Sequence, residues 1–210
     1  MKCLVFLLTI VLLVSCSNNQ VGVEGPNLKK SLIQFPIYGK TPLKDANGNI
    51  TAVIEIPAGT NHKYEYNYDS KAFECEIRDG KPRVVKFLPY LGNYGFIPGT
   101  LMDKERGGDG DALDVLVLGE SVAQGKHFAI KPIATLKLLD RGEEDHKVIA
   151  VPVDSELNVL NINVFEDLRD PVKSIIKTWF TSYKGIGKMQ FQAWEGDSAT
   201  MAEILKWEKK

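Results

Sequence analysis

The residues best suited to chemistry lie between Gly107 and Val117, in the stretch G-G-D-G-D-A-L-D-V-L-V. Asp109, Asp111 and Asp114 sit close together there, behind glycines and directly ahead of an apolar, β-branched run that reads as a buried strand. Carboxylates crowded at the mouth of a core strand repel one another and resist desolvation, so the arrangement needs cations. An all-oxygen donor set favours a hard divalent ion, Mg²⁺, Mn²⁺ or Ca²⁺, over zinc, which prefers His or Cys. The stretch is not an EF-hand loop, because the glycine and distal Glu of that pattern are missing at the required offsets. A solvated turn would use the same residues; the company the aspartates keep along the chain separates the two readings.

Several charged groups recur at strand ends. In Lys63-Tyr64-Glu65-Tyr66 the alternation puts Lys63 and Glu65 on one face, either pointing into one site or forming a surface ion pair. Asp140 ends one strand, and Asp145 and Lys147 share a face where the next begins. The charge run between them reads as a hairpin tip, with His146 exposed. The loop Leu88 to Thr100 carries Tyr90 and Tyr94, whose hydroxyls can serve packing or a ligand.

The elements that must hold these groups are mostly short strands. Ala52 to Ile56 is one, with Val53 and Glu55 on one face and Ile54 and Ile56 on the other. Ala72 to Ile77 and Pro82 to Phe87 read as a hairpin about Asp79-Gly80, with Arg83 on its second arm. Val115 to Leu118, His127 to Leu139, Val148 to Pro152 and Met189 to Trp194 add further strands. The long helix starts at an Asp170 N-cap with Pro171 behind it and carries Val172, Ile175, Ile176, Trp179, Phe180 and Tyr183 as an apolar stripe. It ends at Tyr183 and Lys184 before Gly185, and a shorter helix runs from Ser198. Without βαβ alternation, the expected class is α+β and mainly β: a small barrel or strongly curled sheet with helices on one side.

With 210 residues, 44% of them hydrophobic, and a formal charge of −1, the chain can hold one domain of about 175 residues behind an N-terminal extension. The absence of a Lys/Arg cluster argues against a nucleic-acid partner. Lys2 followed by the apolar run Cys3 to Val14 is too short to span a bilayer, which takes roughly 20 residues, and reads as a signal segment over residues 1–15. Its L-V-S-C ending resembles a bacterial lipobox, implying cleavage before Cys16 and acylation of its thiol. Ser17 after that cysteine resembles the outer-membrane sorting pattern, which implies the periplasmic face of the outer membrane. Residues 16–32 then form a polar tether and residues 33–210 the domain. Cys75 is left as a core thiol, without a disulfide framework.

Taken in order, the motifs resemble family I soluble inorganic pyrophosphatases. D-G-D-A-L-D-V-L is similar to that family's D-G-D-P-x-D signature. It is joined by V-I-E-I-P-A (Val53 to Ala58), K-Y-E (Lys63 to Glu65), N-Y-G (Asn93 to Gly95), D-x4-D-x-K (Asp140, Asp145, Lys147) and the pair Tyr183-Lys184. The resemblance implies a five-stranded OB-like barrel with extra hairpins and two C-terminal helices. It also implies Mg²⁺-dependent hydrolysis of pyrophosphate, with Mn²⁺ as a substitute and Ca²⁺ as an inhibitor, and hexamers. Carried over residue by residue, Asp109, Asp114 and Asp145 hold two activating metals, Asp140 a metal borne by substrate, and Glu55 and Glu65 complete the metal site. Asp111 matches the general base. Lys63, Arg83, Tyr94, Lys147, Tyr183 and Lys184 match the phosphate-binding set, with Tyr90 a looser match and Arg78 the alternative to Arg83. Ala112 stands where the signature has proline, and Arg141 where many bacterial members have an acid. Two other readings fit the same residues. One is a lipid-anchored phosphohydrolase acting on nucleotides or polyphosphate; the other is a non-enzymatic lipoprotein that binds Ca²⁺ or another ligand, for which Lys63, Lys147 and Lys184 would be unneeded.

Overall fold

Short β-branched and aromatic runs punctuated by Gly, Pro, Asn and Asp fold as eleven strands and two α-helices across residues 37–209, the part of the chain that the computed structural model describes. The signal-like run, Cys16 and the tether expected up to residue 32 lie outside the described residues. In chain order come β1 (Ile50–Ile56), β2 (Tyr64–Asn67), β3 (Ala72–Cys75), β4 (Ile77–Arg78), β5 (Lys81–Pro82), β6 (Asn93–Phe96) and β7 (Asp114–Val117). They are followed by β8 (His127–Asp140), β9 (Glu143–Glu144), β10 (Lys147–Pro152), α1 (Asp170–Ser182), β11 (Met189–Gly196) and α2 (Asp197–Lys206).

β1, β6, β7, β10 and β8 pair in that order, and β8 pairs back onto β1, closing five strands into a ring. This is the OB-like barrel expected. Its contacts are antiparallel except between β7 and β10, which run parallel. β11 extends the sheet along the distal half of β8 and β9 pairs with its tip, while β2 with β3 and β4 with β5 form separate hairpins.

The strands of the ring are apolar at both parities, as strands buried on two faces must be. Val115, Val117, Val148 and Ala150 share one core with Ile54, Ile204 and Trp207, whereas Leu116, Ile149 and Val151 share another with Ile176, Trp179 and Phe180. The two helices therefore serve two different cores rather than one side, a correction to the expected layout. β8 can remain one continuous strand despite Pro132 because the register slips opposite it, between Ile149 and Ala150, where a missing N–H is tolerated.

Five local expectations are revised. The Asp79-Gly80 turn forms, with φ of 52° and 72°, but its arms are only β4 and β5; Pro82 cannot extend the ladder, and Ala72 to Cys75 pairs back with β2 instead. Cys75 is consequently only partly buried. Helix α1 begins after Arg169 rather than using Asp170 as an N-cap, and its Ile175 is exposed. His146, expected at the surface, is 2% exposed, because the strand it leads into is covered on both faces.

Where β1 meets β6 the backbones approach so closely that a Cβ on Gly95 would lie 1.9 Å from the Val53 carbonyl oxygen. Gly95→Ala is accordingly expected to cost about 3 kcal/mol and lower the thermal midpoint by roughly 6–12 °C. A midpoint unchanged in thermal denaturation would show that the barrel can open at this seam.

Candidate active site

Strand register brings the charged groups together. Parallel pairing makes Asp114 and Lys147 direct neighbours at the starts of β7 and β10. The Lys147 ammonium donates to both Asp114 and Asp145, and Tyr94 on β6 donates its hydroxyl to Asp114 Oδ2 at 2.5 Å. Lys184, just past α1, donates to Asp140 Oδ2 at 2.7 Å and Asp145 Oδ2 at 3.3 Å. The β8–β9 turn uses Arg141 and Gly142 at φ 55° and 95°, the two left-handed positions of a type I′ turn, and sets Asp140 opposite Glu143.

The first aspartate loop is folded on itself. Asp109 Oδ1 accepts from the Asp111 backbone N–H at 3.0 Å, and Gly110 turns at φ 94° so that its N–H reaches the Met102 carbonyl at 2.7 Å. Glu144 N–H donates to the Gly107 carbonyl at 2.9 Å, tying this loop to the β8–β9 hairpin. From the far side come Glu55 on β1, accepting from the Tyr66 N–H at 2.7 Å, and Lys63, 3.2 Å from Glu65 and lying over the Tyr94 ring.

These groups line one cavity of about 360 Å³. Of the catalytic, metal and phosphate-binding residues expected in the described part of the chain, all but Tyr90 and the alternative Arg78 line it. Tyr90 stands one layer back, its ring 5.1 Å from Tyr94 and 4.8 Å from Trp179. Both arginines pair with Glu76, but Arg83 lines the cavity whereas Arg78 is largely exposed outside it. Tyr183 is held by stacking on Trp179 at 4.5 Å. Sequence reasoning missed Tyr68 and Glu143. Tyr68 lies beyond the end of β2, where alternation no longer tells direction; Glu143 could have been found as the hairpin partner of Asp140.

Eight carboxylates and four cationic side chains face this cavity. The imbalance leaves charge that protein groups do not neutralise. Burial pushes Glu55 up to about 8, and burial together with the Asp114 and Asp145 charges pushes Asp109 up to about 6. Asp111 is raised by burial, Asp114 and Glu65. Where an ammonium is supplied the direction reverses: burial acts against the Asp145 charge, but Lys147 and Lys184 outweigh it and hold the carboxyl down. The donor set is entirely oxygen and in anionic excess, which fits hard divalent cations.

A raised carboxyl binds protons more tightly in the folded than in the unfolded chain, so stability falls as pH rises between the two values. Without divalent cation, the unfolding free energy is therefore expected to decline from about pH 5 to about pH 8 through Asp109 and Glu55, and millimolar divalent cation to flatten the slope. Chemical denaturation across that range checks it; a rising slope without cation would contradict the charge excess.

Comparison with known proteins agrees with this geometry. Residues 52–210 match the family model described as inorganic pyrophosphatase. Inorganic pyrophosphatase 1 of Pseudomonas syringae pv. tomato is 39% identical over 179 residues, covering 80% of this chain and 95% of that protein. A crystal structure of an inorganic pyrophosphatase from Neisseria gonorrhoeae superposes with a TM-score of 0.67 at 32% identity, covering 83% of this chain and 100% of that one. The Thermus thermophilus inorganic pyrophosphatase structure gives 0.68 at 30% identity, covering 81% and 95%. With a family model spanning the barrel and both helices, and relatives matched over nearly their whole length, the chain belongs to the inorganic pyrophosphatase family.

Proposed function

We infer that the protein is an inorganic diphosphatase, hydrolysing pyrophosphate to two phosphates with a divalent cation. One observation carries this reading: within a chain of that family, the anionic and cationic side chains its motifs supply all open onto one cavity. In the proposed assignment Asp109, Asp114 and Asp145 hold activating cations, Asp140 takes one that arrives with substrate, and Glu55 and Glu65 complete the set. Mg²⁺ is the proposed ion, with Mn²⁺ as substitute and Ca²⁺ as inhibitor. Bound there, it would neutralise phosphate charge and lower the pKa of water.

The chain's own residues supply the rest. Asp111 accepts the proton of the attacking water: its carboxylate takes no hydrogen bond from the described residues, and its raised pKa brings it closer to the operating pH. Lys147 and Lys184 are held by Asp114, Asp140 and Asp145. Once those oxygens are committed to cations, both ammonium groups are free to face phosphate. Lys63 and Arg83 offset charge from the other wall, and the Tyr94 and Tyr183 hydroxyls orient the substrate, with Tyr90 supporting Tyr94 from behind. A protein with a formal charge of −1 thus binds a highly anionic substrate locally.

The same proposal includes acylation at Cys16, attachment at the periplasmic face of the outer membrane and hexamer formation. The L-V-S-C leader supports the first, Ser17 after the cysteine the second, and family resemblance the third. No helix among the described residues is long and apolar enough to cross a membrane. A substrate panel with nucleotides and polyphosphate separates the alternative phosphohydrolase reading.

Protein from Gln20 onward is expected to release phosphate from pyrophosphate when Mg²⁺ is present and not when divalent cations are removed, by colorimetric phosphate assay. Asp111→Asn should lower kcat by about 10²- to 10⁴-fold while Mg²⁺ binding by calorimetry is kept; Asp114→Asn should weaken that binding as well. Unchanged turnover in Asp111→Asn would remove it as the base.

A further inference from the structure

Glu144, His146 and Glu203 bring two carboxylates and an imidazole within 4.8 Å of one another outside the catalytic cavity. Such a group could hold a metal, but its charges and donors are already matched. Lys206 Nζ lies 2.7 Å from Glu144 Oε2 and 3.9 Å from Glu203 Oε1; Glu203 Oε1 also lies 2.8 Å from His146 Nδ1 and accepts from Trp207 Nε1 at 2.7 Å. The hydrogen bonds from His146 and Trp207 outweigh burial and hold Glu203 down to about 2. An entering cation would meet an ammonium rather than an unmet charge.

What the cluster joins gives it another use. His146 lies between Asp145 and Lys147, and strand alternation sends its side chain to the opposite face from theirs, away from the cavity. The last turn of α2, bearing Glu203 and Lys206, together with Trp207 just past it, thus grips the second carboxylate segment from behind through His146 and Glu144. The same turn grips the approach to the first. Arg106 donates to the Lys206 carbonyl at 2.7 Å and lies 4.6 Å over the Trp207 ring, and the Leu101 N–H donates to the Trp207 carbonyl at 2.8 Å.

We propose that Glu203 is a positioning residue: by anchoring His146 and Trp207 to one carboxylate, it sets the distance between the Asp109–Asp114 loop and Asp145 and so sets the cation affinity of a site it never touches. The proposal deepens the reading of those aspartates as cation ligands and rests on it. Altering groups that support metal ligands from behind costs roughly 10- to 100-fold in affinity or activity; Glu203 touches neither the ligands nor the proposed base, so its effect is expected in affinity.

The test is calorimetric Mg²⁺ binding to the purified full-length chain, alongside kcat at saturating Mg²⁺ and the thermal midpoint. Glu203→Gln, and separately Trp207→Phe, which removes the indole N–H, are expected to weaken Mg²⁺ binding roughly tenfold with kcat within about twofold of the parent. Ile204→Val, a trimmed core residue on the same helix, is expected to lower the midpoint and leave Mg²⁺ binding alone. Parental Mg²⁺ affinity in a folded Glu203→Gln or Trp207→Phe protein would overturn the proposal, as would an equal loss of affinity in Ile204→Val. Failure of the parent itself to bind Mg²⁺ would instead overturn the cation-site reading, and the proposal with it.

Discussion

Like charges brought together in a partly buried space govern this molecule. Carboxylates from several separate stretches of chain face one cavity with half as many cationic groups, and each pays part of its hydration to be there. Such a cluster persists only if the surrounding framework is rigid enough to resist its repulsion. The barrel supplies that rigidity, since nearly every site residue sits on a strand or within a few residues of one end.

The most consequential pairing is also the least local. β7 and β10 run side by side in parallel although the β8–β9 hairpin separates them in sequence. That contact sets Asp114 beside Lys147, and the residues leading into β10 then place Asp145 within reach of the same ammonium while His146 turns the other way. Acid and base are interleaved by register rather than by adjacency. The interleaving keeps the cluster tolerable in the free protein and leaves the ammonium groups poised beside the carboxylates.

Much of this was legible in the residues. The crowded aspartates, the Lys63–Glu65 alternation, the Asp145–Lys147 alternation and the apolar stripe of α1 are periodic signals, and periodicity survives folding because it states which groups share a face. Closure of the ring was not legible from pattern alone, because it depends on pairings between distant segments, and came only with the family resemblance. The β2–β3 hairpin was missed because the Asp79-Gly80 turn advertised itself more strongly than the one before it. His146 was misplaced for a related reason: flanking charges describe one face of a strand and say nothing about what covers the other. The contribution of α2 was hidden too, since its Glu203 and Lys206 read as ordinary surface helix until their partners are known.

Fourteen residues long, β8 is a shared wall: its first part pairs with β1, its middle with β10, and its last part with β11 and β9. A strand with so many partners cannot detach from one without loosening the others, so fraying near Asp140 is linked to opening of the whole sheet. Amide protons along its middle should be among the slowest to exchange with solvent, at rates governed by complete unfolding. The catalytic pocket then has no private route to disorder, and its lifetime is that of the fold.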